Sequence, residues 1–169
     1  MVAMTNEQQN SPSDDAVRAA MRAAARRIDS VSARLRIGGA IPADEYHRLA
    51  EAGVTHVVDL RESHEVDESR LSELAADRRH VPVPNHGAPT LQQLEDVSAW
   101  FADQGDDATL YVHCQGGFGR ASTMVIGLLV QQGMAVSDAE AQVRAARPEI
   151  RLNDEQRAWL RAVEALRNP

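Results

Sequence analysis

The one cysteine among the 169 residues opens the run Cys114-Gln115-Gly116-Gly117-Phe118-Gly119-Arg120, with His113 directly before it. An apolar strand-like segment precedes this run and an apolar helix-like segment follows it. A lone cysteine is ordinarily a small buried hydrophobe, but one that heads a glycine-rich turn, with Arg six residues on at a helix start, is placed for chemistry. Such a turn points successive backbone N–H groups into one concavity, and the helix N-terminus adds partial positive charge. The site should therefore bind a tetrahedral dianion and hold Cys114 as a thiolate, a nucleophile set against a phosphate.

The pattern His-Cys-x5-Arg between a strand and a helix resembles the signature loop of the cysteine-dependent protein tyrosine and dual-specificity phosphatases. The resemblance implies that Cys114 attacks phosphorus, that Gln115, Gly116, Gly117, Phe118 and Gly119 donate main-chain N–H groups, and that Arg120 forks two phosphoryl oxygens as a planar guanidinium can. It also implies that His113 orients the loop and favours the thiolate. Sulfurtransferases of the rhodanese type space Cys and Arg by four residues, whereas this chain has five. The likeness extends over roughly residues 32 to 166. Gly53-Val54-Thr55-His56-Val57-Val58-Asp59-Leu60-Arg61 looks like the family's buried strand, His80 to Thr90 like its acid loop, and Arg147 to Gln156 like the entry into its last helix. Within that family the chain resembles the small type related to kinase-associated phosphatase. The implied fold is a compact α/β domain, a central mostly parallel sheet flanked by helices, with an extra N-terminal helix.

Two positions depart from the family pattern. Where the acid loop should carry an Asp that protonates the leaving oxygen, this chain has Asn85, and an amide cannot give up a proton at useful pH. General acid catalysis typically supplies about 10²- to 10⁴-fold, so the expectation is a slow enzyme that tolerates good leaving groups best. The adjacent His86 is a possible substitute acid, imidazole being the side chain that exchanges protons near neutrality, and a rim or substrate contact otherwise. The second departure is Ala121, where the family has Ser or Thr to assist breakdown of the phosphocysteine. Ser122 is rotated by about 100° along the helix; it either compensates for the missing hydroxyl or, with Thr123, satisfies backbone groups of the first turn.

Composition sets outer bounds. A chain of this length with 43% hydrophobic residues supports one substantial core. Its formal net charge of −7 argues against nucleic acid or an anionic membrane as the main partner. All 18 basic residues are Arg, so Schiff-base chemistry and Walker-type phosphate loops, which need Lys, are excluded. A single Cys permits no internal disulfide and suits a reducing cytoplasm. The six His show no metal-ligand spacing, and no cofactor or metal is expected. No run of 18 apolar residues is present, so no membrane span is expected. The expected partner is a phosphorylated protein or a small aryl phosphate. Gln115, Gly117 and Phe118 stand where phosphoinositide-directed relatives carry Lys, which leaves Arg120 as the main pocket charge and disfavours polyphosphorylated inositides. Phe118 could pack on an aryl ring.

The elements that must position these residues follow from periodicity. Residues 1–13 are polar and read as a flexible N-terminus. Residues 14–30 carry Val17, Ala20, Met21, Ala24 and Ile28 at helical spacing with Arg18, Arg22 and Arg26 on another face, an amphipathic helix that either docks on the domain or pairs with another copy. The family resemblance implies that residues 31–169 are the phosphatase-like catalytic domain. Strands are expected at Ala33 to Ile37, Thr55 to Leu60, His80 to Val83 and Leu110 to His113. Thr90 with Gln93, Ser137 with Glu140 and Asn153 with Gln156 have capping-box spacing at helix starts. Ala121 to Gln132 is nearly all apolar and should be the central buried helix, ending at Gly133. Asp59 reads as a structural carboxylate. Either a phosphomonoester hydrolase or a phosphate-binding pseudophosphatase satisfies these observations, and the hydrolase is preferred because an unpaired reactive thiol is a liability in a pure binding module.

Overall fold

The computed structural model describes residues 13–167. Most of the polar segment 1–13 therefore lies outside the described residues. Five strands, β1 (Ile28–Ser32), β2 (Leu35–Gly38), β3 (His56–Asp59), β4 (Asp77–His80) and β5 (Leu110–His113), form one sheet in the order β1-β2-β5-β3-β4. β1 and β2 pair antiparallel and every other neighbour is parallel, with Gly38 opposite His113 and Asp59 opposite His113 at the carboxyl ends. The α/β class with a mostly parallel sheet is as the sequence implied.

Side chains alternate across the sheet, as a pleated strand requires. Val58, Leu110 and Val112 face the larger core, shared with helices α3 (Leu91–Ala102), α4 (Arg120–Gln131), α5 (Val136–Ala146) and α6 (Asp154–Arg167). Val57 and Tyr111 face a smaller core under α2 (His47–Glu51). β5, central in the sheet, is buried along its whole length, which is why it reads as an uninterrupted apolar run. α4 is buried from Arg120 through Val130. A helix with no polar face belongs inside the protein, and the turn headed by Cys114 joins it to β5. The junction therefore falls at the carboxyl edge of the parallel sheet, where open α/β folds place ligands.

The first helix, α1 (Asp14–Ala25), ends five residues before the expected Ser30, and Ile28–Ser32 is the edge strand β1. The apolar spacing ran on through Ile28, but consecutive Arg26 and Arg27 mark the change. Only Ala24 of α1 is buried. The helix is fixed at its C-terminal end, where Ala25 O accepts from Gly39 N and Arg26 pairs with Glu45. The strand expected at His80 to Val83 instead ends at His80 and begins at Asp77. Asp-Arg-Arg-His lacks an apolar pattern because β4 is an edge strand. Thr90 with Gln93 forms the expected reciprocal cap, and Asn153 and Gln156 exchange the same pair of bonds. Ser137 does not cap α5, which starts at Val136 with its N–H donated to Glu164 of α6.

Candidate active site

Cys114 leaves β5 at the head of the glycine-rich turn with 4% of its surface exposed. Its Sγ accepts the Gly117 N–H at 3.2 Å. Only a left-handed residue lets the turn double back in this way, and Gly117 has φ +77°. The turn runs straight into the first residue of α4, Arg120, so the helix N-terminus faces the sulfur.

Arg120 is 4% exposed and is held from behind. Its Nη1 and Nη2 donate to the two carboxylate oxygens of Glu65 at 2.7 and 2.8 Å, and Nη1 also donates to Val83 O at 3.1 Å. These bonds occupy both hydrogens of Nη1 and one of Nη2. The edge formed by Nε–H and the other Nη2–H remains, and that edge has the spacing of two phosphoryl oxygens. The Arg120 hydrogen bonds hold the Glu65 carboxyl down at about 2, against an ordinary 4.5. Glu65 also accepts the Glu62 N–H at 2.7 Å, closing a short 3-10 turn over residues 63–65. Through that turn Glu62 reaches the acid loop, its Oε2 accepting from Asn85 N at 3.2 Å. Glu62, His64 and Glu65 lie close enough to suggest a cation site, but both Glu65 oxygens are engaged by Arg120, and no cation is assigned there.

A cavity of about 350 Å³ opens over the turn. Its lining consists of Cys114, Gln115, Gly116, Phe118, Gly119 and Arg120 from the turn, Asn85 and His86 from the acid loop, and Arg151, Leu152, Asn153 and Gln156 around the start of α6. Gly117 stands behind this lining and contributes its N–H to the sulfur. His86 has φ 64°, an uncommon conformation for a non-glycine residue. Its carbonyl accepts from Asn153 Nδ2 and the next carbonyl, of Gly87, accepts from Gln156 Nε2, so the start of α6 clips the acid loop in place. Arg151 was not anticipated. It is a second arginine among the lining residues, which include no Asp or Glu.

His113 lies outside the cavity lining. Its ring stacks on Tyr111, with Nδ1 3.1 Å from Cys114 O, which can only accept, so Nδ1 carries the hydrogen. Burial lowers its pKa and outweighs the pull of Asp59, whose Oδ2 is 3.8 Å from Nε2. Asp59 is fully buried, away from the cavity. Burial opposes its ionisation, but Arg61, His113 and Arg78 together hold it below the usual carboxylate range. It is the structural carboxylate the sequence suggested. Ala121 is completely buried. Ser122 Oγ bonds Phe118 O and Gly119 O at 2.8 and 2.9 Å, so it serves the first helical turn and not the sulfur.

A parallel sheet that delivers a cysteine and an arginine to one anion-sized turn at a helix N-terminus defines a phosphatase domain of the cysteine-dependent dual-specificity class. The chain belongs to the family described as "PTP-SAK: Swiss Army Knife protein, DSP-PTPase phosphatase domain", which matches residues 26–166. Two curated Arabidopsis thaliana proteins are similar. The phosphatidylglycerophosphate phosphatase PTPMT2 is 28% identical over 137 residues, 78% of this chain and 60% of that protein. PTPMT1 is 32% identical over 132 residues, 75% of this chain and 39% of that protein. The chain thus spans less than two thirds of either relative. Among solved structures, Tk-PTP in its active form superposes with a TM-score of 0.75 at 26% identity, covering 82% of this chain and 96% of that one. The human tyrosine phosphatase-like serine/threonine/tyrosine-interacting protein gives 0.75 at 19% identity, covering 85% and 99%, and shares the fold. Among the described residues no helix is long and apolar enough to cross a membrane.

Proposed function

We propose that this chain hydrolyses phosphomonoesters through a phosphocysteine intermediate. The observation that carries the proposal is the shared cavity: the Cys114 sulfur and the unoccupied edge of the Arg120 guanidinium meet over one turn at the N-terminus of α4. In the first step sulfur attacks phosphorus and the bond to the leaving oxygen breaks, while the main-chain N–H groups of the turn and Arg120 take the charge on the equatorial oxygens. In the second step water attacks phosphorus, the S–P bond breaks, and the thiolate returns with inorganic phosphate released.

The leaving oxygen lacks its usual proton donor. Asn85 lines the cavity at the acid position and His86 lies beside it, so the imidazole is the nearest group that can exchange a proton there. The clip on its backbone fixes where the ring starts. An aryl ester, whose leaving group needs a proton least, is the favoured substrate, and phosphotyrosine is the natural member of that class. The phosphatidylglycerophosphate named for the Arabidopsis relatives is an alkyl ester and would depend more heavily on an acid. A second reading, a pseudophosphatase that binds phosphorylated partners without turnover, draws on the same Asn85 and on the engagement of Ser122 with backbone carbonyls.

p-Nitrophenyl phosphate hydrolysis across pH, run beside Cys114→Ser, separates these readings. Turnover abolished by that change supports the hydrolase, and wild-type protein that binds phosphate without turnover supports the second reading. With an alkyl phosphate, Asn85→Asp should raise kcat at least about tenfold where protonation limits the rate. No gain, together with loss of activity in His86→Ala, would assign the proton to His86.

A further inference from the structure

Each of the five carbonyls from Gln115 to Gly119 is turned outward onto a donor. Gln115 O accepts from Ala40 N, Phe118 O from Arg151 N, and Gly119 O from Thr123 N in the first turn of α4. The two in the middle have no main-chain donor. Gly116 O and Gly117 O accept from Nη2 and Nε of one side chain, Arg147, each at 2.8 Å. In a planar trans peptide C=O and N–H point in opposite directions, so holding a carbonyl outside aims the next residue's N–H inside. The Gly117 N–H on the Cys114 sulfur is that effect at one of the two peptides.

We infer that Arg147 is a positioning residue for the phosphate cradle, and that Asp29 of β1 sets the angle of its guanidinium. Arg147 is fully buried at the end of α5. Its remaining nitrogen, Nη1, donates to Asp29 Oδ2 at 2.8 Å, and the Phe118 ring stands 5.0 Å from the guanidinium carbon. Asp29 is held in turn by Arg27, which also grips Glu149, so β1 and the segment after α5 close on each other around this side chain. The peptides Arg147 fixes flank Gly117 and follow Gly116. With no Cβ at either position, little besides these bonds opposes rotation of the peptide planes. Without the guanidinium two buried carbonyls lose their only donors, and the amides of Gly117 and Phe118 are no longer held toward the anion. Arg147 touches neither substrate nor sulfur and acts through the main chain. The inference rests on the phosphate-binding part of the proposed function and not on turnover.

Binding of tungstate, a tetrahedral oxyanion, measured by calorimetry on the full chain, tests it directly, with p-nitrophenyl phosphate kinetics and thermal melting alongside. Arg147→Gln should weaken tungstate on the order of 10- to 100-fold, with kcat falling in parallel. Arg147→Lys should recover part of the affinity, because it keeps the charge but cannot bridge both carbonyls. Asp29→Asn should cost about threefold to tenfold. A side chain with a merely structural role would lower the melting temperature and leave the affinity of the folded protein alone. Tungstate affinity within twofold of wild type in a folded Arg147 variant overturns the inference. Should the Arg147 variants not fold, unchanged affinity in Asp29→Asn overturns it equally. Wild-type protein that binds tungstate but turns nothing over would remove the hydrolase reading and leave the role of Arg147 standing.

Discussion

Replacing Glu65 with Gln would change the active site without touching any residue that contacts substrate. The carboxylate holds Arg120 end-on through two charge-assisted bonds of 2.7 and 2.8 Å, and the Glu65 side chain is 16% exposed. Its pKa, down from 4.5 to about 2, corresponds to about 3 kcal/mol of preference for the ionised form. Glutamine keeps the shape, but its amide can offer only one oxygen to two guanidinium N–H groups, and its NH₂ opposes the other. One strong bond is lost and Arg120, nearly buried, keeps only Val83 O as a firm second anchor. A cost of about 1.5 to 3 kcal/mol is expected for a hydrogen bond to a charged group, which is about 10- to 100-fold in rate. Removing the negative charge behind Arg120 also relieves repulsion of an incoming dianion, in bound substrate and transition state almost alike, and that effect belongs to KM. Glu65→Gln should therefore lower kcat for p-nitrophenyl phosphate about 10- to 100-fold with KM unchanged or reduced. A kcat within twofold of wild type would refute the argument that Glu65 fixes the phosphate-facing edge of Arg120.

Other outcomes follow from the same geometry. Gly117→Ala should abolish phosphate binding, because its Cβ would stand 2.3 Å from the backbone of Gly38 in a residue at φ +77°, and phosphate titration of the purified variant checks this. Ser122→Ala should leave the rate of phosphocysteine breakdown in single-turnover kinetics within about threefold, while costing about 1 kcal/mol in chemical denaturation, since its hydroxyl bonds only backbone carbonyls. Glu65 and Glu149 both titrate near 2 through their Arg partners. Their folded-state values are depressed, so their contribution is present above about pH 4.5 and is lost as pH falls toward 2. Melting temperature should be insensitive to these groups from pH 6 to 5 and drop steeply below 4.5, with a shallower drop in Glu65→Gln.

The cysteine turn is legible because its parts are contiguous: strand, cysteine, glycines, arginine and helix follow one another, and each step has its own local signal. The same holds for the reciprocal caps at Thr90 and Asn153. What escaped depends on distance along the chain. Glu65 meets Arg120 across 55 positions, and Arg147 meets the turn across 30. Nothing in the spacing of Ser63-His64-Glu65 distinguishes a buried ion pair from a solvated acidic stretch, although the Glu62 and Glu65 pair has the spacing of a cap. β1 was absorbed into the preceding helix because Ile28 fits both periods, and β4 was displaced toward Val81 and Val83 because its own residues are polar. Edge strands need not be apolar, so hydrophobic patterning finds them poorly. The roles of Asn85 and His86 lie beyond pattern altogether, since they depend on which group can deliver a proton.

Cys114 is the sole sulfur nucleophile of the sequence, seated on the Gly117 amide beside a buried arginine. Peroxide that oxidises the Cys114 sulfur would yield a sulfenic acid, and no second cysteine within these 169 residues can trap it as an internal disulfide. The reversible exits are then condensation with a backbone nitrogen to a sulfenamide, or capture by an external thiol acting as reductant. Exposure to oxidant without such a reductant would carry the sulfur on to the sulfinic acid, which ordinary thiols do not reverse.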